Sequence, residues 1–179
     1  MLLEIRKYPE IELTDEIRHQ VSLLLQKSFP ETSFHGQHYY KQLPHYRLLA
    51  YEDEMLIGHL AVDYRMMRLN DQLIKVFGLR SFCVFEERRN HYIGSFLLEE
   101  AEKLAEAANA DFLFVFSTIG GIFKKHDFKH VDNICTWLKI DEHKSTGIGD
   151  GFLKEEIMIK QISHKKWETG NVDFLGYLY

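Results

Sequence analysis

The alternation of apolar and polar positions divides this chain into strands and helices before any motif is considered. Residues 2–8 alternate Leu3 and Ile5 with Glu4 and Arg6, predicting a first strand that Pro9 ends. Thr14 stands where a helix N-cap belongs, with Asp15 and Glu16 in the first turn. Ile17, Val21, Leu24 and Ser28 then mark one face of a helix that stops before Pro30. Residues 31–44, rich in His and aromatics, predict an irregular loop carrying a short second helix. A strand over 46–51 turns through Glu52-Asp53-Glu54 into a long strand over 55–69, and Asn70-Asp71 turns that into a fourth over 75–85. Ile93, Leu97, Ala101, Leu104 and Ala108 space out a helix over 93–109. The wholly apolar run at 111–116 predicts a buried central strand. A short helix over 117–126 follows, then a closing strand pair, 131–140 and 155–162, around a flexible loop at 145–151. The tail, 163–179, ends in an aromatic cluster. With no repeat or linker, residues 1–179 are expected to form one domain.

Composition narrows the class. Of 179 residues, 45% are hydrophobic and 27% charged, as in an ordinary soluble globule. A net charge of −5 argues against nucleic acid as a partner and suits a cationic substrate better. Cys83 and Cys135 lie in apolar runs and read as buried free thiols of a reducing compartment. The N-terminus breaks into charge at its fourth residue, unlike a signal peptide, and no apolar run approaches the roughly 20 residues of a membrane span. A cytoplasmic protein without membrane contact is expected. Neither Cys-x-x-Cys nor His-Glu-x-x-His spacing occurs, so no metal is expected.

The chemistry concentrates at residues 73–98. There an apolar strand passes through the charged loop Glu86 to His91 into the helix beginning near Ile93. A helix start presents unpaired N–H groups and the positive end of the helix dipole, an anion site. Gly94 permits close backbone approach, and Arg88 and Arg89 add positive charge. The residues suggest a diphosphate-bearing ligand held at the helix start.

The run Arg89-Asn90-His91-Tyr92-Ile93-Gly94, with Ser95 next, resembles the Gln/Arg-x-x-Gly-x-Gly/Ala signature of the GCN5-related N-acetyltransferases (GNATs), except that Tyr92 replaces its first Gly. The element order matches as well. The resemblance implies an α/β (α+β) acyl-CoA N-acyltransferase fold: a mixed, mostly antiparallel central sheet, strands 4 and 5 splayed, flanked by helices. It also implies acetyl-CoA as acyl donor, held by Arg89, Asn90, Tyr92, Ile93, Gly94 and Ser95, with backbone contacts from Phe82 and Val84. Residues 46–62 and 76–84, with Glu155–Ile159 and the tail element Trp167-Glu168-Thr169-Gly170, are similar to the aminoglycoside 2′-N-acetyltransferases and the nodulation N-acyltransferase. An amino-sugar amine is therefore the expected acceptor, with a homodimer allowed.

Acetyl transfer requires a base, a donor polarising the thioester carbonyl, and relief of charge on the departing thiolate. The Val84 N–H is expected to polarise the carbonyl. Asp173 is the preferred base, because the related tail enters the acceptor site; His59, Asp63 and Glu86 are the other candidates. By position His59 also fits a satisfied core histidine. Arg80 stands where the aminoglycoside enzymes carry a Glu, so it is expected to face an anionic or neutral part of the acceptor. The family's proton-donating Tyr is replaced by Phe123, leaving Lys124 or His126 as substitutes. With Arg80 and Tyr92, this substitution also fits a second reading, a catalytically silent module that binds acyl-CoA to sense a ligand or partner.

Overall fold

The computed structural model describes residues 2–118 and 120–178. They form two compact units, residues up to Val62 with Arg80–Ala101, and Asp63–Leu79 with the segment from Glu102 on.

In the first unit, β1 (Leu3–Pro9) and β2 (Tyr46–Glu52) pair antiparallel, Leu3 opposite Glu52, and β2 pairs antiparallel with the start of β3 (Met55–Leu69), Tyr46 opposite Val62. Helix α1 (Asp15–Ser28) begins as its sequence predicts: the Thr14 hydroxyl accepts from the Ile17 N–H at 3.3 Å. Its apolar stripe, Val21, Leu24 and Leu25, is buried with Leu49, Tyr51 and Cys83. Residues 31–44 contain no helix. Phe34 is drawn into that core, the Ser22 hydroxyl donates to the Gly36 carbonyl at 2.8 Å, and these anchors hold the loop without regular structure.

In the second unit the start of β4 (Gln72–Val84) pairs in parallel with β5 (Phe112–Phe116), from Val76–Phe112 to Leu79–Val115. Strand β5 pairs antiparallel with β7 (Lys144–Gln161), which forms a long hairpin with β6 (Lys129–Asp141). Residues 145–151 are thus strand, and the turn is at Glu142 and His143, both in the left-handed region. Two of the glycines that suggested flexibility, Gly149 and Gly151, make a bed for an indole ring: a Cβ on Gly149 would lie 2.7 Å from Trp137 Cε2. The tail holds a strand the sequence did not reveal, β8 (Gly170–Tyr177), parallel to β6 and meeting β3 at Arg68 and Leu69. Helix α2 (Ile93–Ala107) and the short α3 (Gly121–Lys125) are the other α-helices among the described residues. Apart from β4–β5 and β6–β8, the ladders described are antiparallel, giving the mixed, sheet-dominated fold expected. Among the described residues no helix is long and apolar enough to cross a membrane.

The Trp167-x-x-Gly170 element has a structural role. Trp167 Nε1 donates to Asn133 Oδ1 at 2.9 Å and its ring meets Phe112 edge-on at 5.1 Å. Gly170 has φ 125°, and a Cβ there would strike the Asn70 side chain, which is bonded to the Thr169 carbonyl and the Asn171 N–H.

Candidate active site

The ladder between β4 and β5 covers Val76–Leu79, while β4 continues to Val84. In that continuation Ser81 has φ 49°, a left-handed residue inside a strand, so the two-residue alternation does not carry across it. Arg80, Phe82 and Val84 are half-buried. Cys83 turns into the core, and burial pushes its thiol up to about 11, making it a packing group and not a nucleophile. Arg80 Nη1 and Nη2 donate to the carbonyls of Tyr40 at 2.9 Å and Gln42 at 2.7 Å. Arg80, expected to face the acceptor, thus clamps the 40–42 segment.

The loop after β4 is pinned at several points. The Phe85 N–H donates to the Ile57 carbonyl at 2.7 Å, and Arg88 Nε to Glu52 Oε2 at 2.6 Å, so Arg88 serves the fold. Exposed Arg89 donates from Nε to the Val84 carbonyl at 3.3 Å. Asn90 and Tyr92 are both left-handed, φ 65° and 62°, and the Tyr92 ring is 76% exposed. The position that is Gly in the signature therefore does require positive φ, and Tyr adopts it with its ring in solvent. The Tyr92 carbonyl accepts from the Phe96 N–H at 3.0 Å, which starts α2. Ile93 and Leu97 then pack on Gly58 of β3, where a Cβ would come within 3.2 Å of each side chain. The first turn of α2 carries no acidic residue. The amides of Ile93, Gly94 and Ser95 belong to that turn and need partners from outside the helix ladder.

The first unit thus gathers Arg80, Phe82, Val84, Arg89, Asn90, Tyr92, Ile93, Gly94 and Ser95 along one strand–loop–helix path, whereas Asp173 belongs to the second unit. Asp173 is half-buried and accepts from the Leu175 N–H at 2.9 Å. Of the other base candidates, Asp63 is fully buried and takes the Tyr177 hydroxyl at 2.8 Å, and Glu86 is exposed. Phe123 is buried edge-on to Phe128 at 5.4 Å. Among the described residues no three His, Cys, Asp or Glu side chains group as metal ligands.

His59 is held on both sides. It is fully buried; Nδ1 lies 2.7 Å from the Ser81 carbonyl, and Nε2 2.9 Å from Arg47 Nη1. A carbonyl only accepts and a guanidinium only donates, so the ring is neutral with its proton on Nδ1. Burial, with Arg47 beside it, lowers its pKa to about 3. Arg47, 1% exposed, gives Nε to Glu10 Oε2 at 2.6 Å, and His38 Nε2 donates to Glu10 Oε1 at 2.8 Å. Despite the cost of burial, these two donors hold the Glu10 carboxyl below its ordinary value. Glu10, Arg47 and their link to His38 carry no motif in the sequence. The available signal was Arg47, a charge inside the apolar strand run Tyr46–Tyr51.

No known family's sequence profile matches the chain, and no curated protein matches it in sequence. Solved structures do. A GNAT family N-acetyltransferase of Escherichia coli, determined in complex with CoA, superposes with a TM-score of 0.64 over 96% of this chain and 89% of its own, at 16% identity. This is the GNAT fold. A GNAT family acetyltransferase of Brucella melitensis, in complex with acetyl-CoA, matches at TM-score 0.56 and 17% identity over 72% of this chain and 84% of its own. Against a GCN5-related N-acetyltransferase of Anabaena variabilis the TM-score is 0.63 at 13% identity, covering 74% of this chain. The chain spans only 34% of that larger protein.

Proposed function

We propose that this protein is an acetyl-CoA-dependent N-acetyltransferase acting on a primary amine of a small molecule, in the finer reading an amino sugar. The observation that carries the proposal is the β4–α2 junction, where left-handed Tyr92 leads into a helix start free of acidic residues. Such a turn suits a diphosphate, through the amides of Ile93, Gly94 and Ser95 and the charge of Arg89. Acetyl-CoA would supply the acyl group as a thioester. Beyond the ladder with β5, the backbone of Phe82 and Val84 is assigned to align the pantetheine arm, and the Val84 N–H to polarise the thioester carbonyl. Asp173 is assigned to accept the proton of the incoming ammonium, so that a neutral amine attacks. The amino-sugar acceptor rests on the resemblance of residues 46–62 and 76–84, since Trp167 and Gly170 already have structural work. One observation favours the second reading, a silent acyl-CoA-binding module: Phe123 offers no proton to a leaving thiolate.

Binding is tested by thermal unfolding with acetyl-CoA. At one hundred times its dissociation constant the ligand should stabilise the protein by about 2.7 kcal/mol. Gly94→Glu, which puts bulk and negative charge at the helix start, should abolish that gain. An undiminished shift in the variant removes the assignment.

A further inference from the structure

The strained residue of β4 is held from inside the protein, and the holder is His59. Its Nδ1–H donates to the Ser81 carbonyl at 2.7 Å, and Ser81 is the left-handed residue of the strand. A trans peptide is planar, with its C=O and N–H pointing in opposite directions. Fixing the Ser81 carbonyl on His59 therefore fixes the Phe82 N–H in the opposite direction, away from the His59 ring. His59 in turn cannot rotate. Its Nε2 accepts from Arg47 Nη1, whose Nε is fixed by Glu10 at 2.6 Å. The outer end of this chain reaches the 31–44 loop through His38, and Arg80, next to Ser81, clamps the same loop at the Tyr40 and Gln42 carbonyls. Loop and strand are thereby tied at two points.

We infer that His59 is a positioning residue: anchored by Arg47 and Glu10, it orients the Ser81–Phe82 peptide, and through it the β4 backbone that receives the acyl donor. The last clause rests on the proposed acetyl-CoA site; the peptide orientation does not.

Two substitutions separate this role from plain stability, because each deletes one of the two hydrogen bonds. In His59→Asn the amide nitrogen stands where Nδ1 stood, keeping the Ser81 contact and losing Arg47. In His59→Gln the amide oxygen stands where Nε2 stood, keeping Arg47 and losing Ser81. Both should lower the melting temperature comparably. Only His59→Gln should displace the Phe82 amide resonance in the free protein and weaken acetyl-CoA binding, by roughly fivefold for one lost hydrogen bond; the conservative His59→Asn should rescue both. Equal displacement in the two variants, or an unmoved Phe82 amide in His59→Gln, overturns the inference. Without any mutation, His59 of the native protein must show a slowly exchanging Nδ1 proton at neutral pH, and an Nε2-protonated ring would overturn it equally. If the native protein binds no acetyl-CoA, the functional reading falls by itself, while the Phe82 resonance still decides the orientation.

Discussion

At the scale of single residues, burial decides what the ionisable groups do. His59 reads from the sequence as either a base or a core histidine, and its surroundings make it the second. A base must gain a proton readily, and this ring resists one down to about pH 3. The consequence for stability has a definite sign. An unfolded histidine titrates near 6.5, so below that pH the unfolded chain binds a proton that the folded chain refuses. Stability should therefore fall as pH drops from about 6.5 toward 3, with a slope from this group approaching ~1.4 kcal/mol per pH unit. Glu10 acts in the same direction at lower pH. Its carboxyl is held below its ordinary value, so its contribution is present above the ordinary carboxylate range and is lost as pH falls through the folded value. Urea unfolding between pH 7 and pH 4 should show this limb, flatter in His59→Leu even though that variant starts less stable. Parallel limbs in the two proteins would contradict the burial account. Arg47 could have been noticed in the sequence as a charge among Leu48, Leu49 and Ala50, but its partners come from distant segments, Glu10 and His38, which no local pattern connects.

At the scale of elements, the junction from β4 to α2 was legible because its signals are local: apolar strand, charged loop, then helical spacing. The departure at Tyr92 was legible too, and the backbone shows its cost. A non-Gly residue in the left-handed region is disfavoured by roughly 1–2 kcal/mol, while Gly gives back about 0.4–1 kcal/mol through the unfolded chain. With its ring 76% exposed, Tyr92 loses little packing on removal. Tyr92→Gly should thus raise stability by up to about 1.5 kcal/mol and bind acetyl-CoA at least as well, measured by thermal unfolding with and without ligand. A destabilised variant would contradict the strain argument, and much weaker binding would mean the ring itself contacts the ligand. Other elements were hidden for physical reasons. Gly149 and Gly151 of β7 look like a loop because their role, making room for Trp137, depends on a residue across the hairpin. Strand β8 has only Val172 and Phe174 as fully buried apolar positions, and its pairing with β6 spans more than thirty residues of sequence. The short helix expected in residues 31–44 failed because Phe34 and the Gly36 carbonyl are held by α1 and its neighbours in a loop conformation.

At the scale of the whole molecule, the order of elements was a better guide than any single motif, and the solved structures agree on the fold at 13–17% identity. Similarity that low speaks to architecture, and the acceptor lies beyond it. The strand–loop–helix path could be assembled from the sequence because it is contiguous, residues 80–95. A base contributed by the distant tail could not be assembled in the same way, and Asp173 remains an assignment of the proposal. The central claim is acyl transfer, and turnover tests it most directly. The native protein, supplied with acetyl-CoA and a panel of primary amines that includes amino sugars, should release CoA thiol in an amine-dependent manner and yield an equimolar N-acetylated product by mass. Acetyl-CoA binding with no thiol release above background across the panel would contradict the account and leave a silent acyl-CoA-binding module.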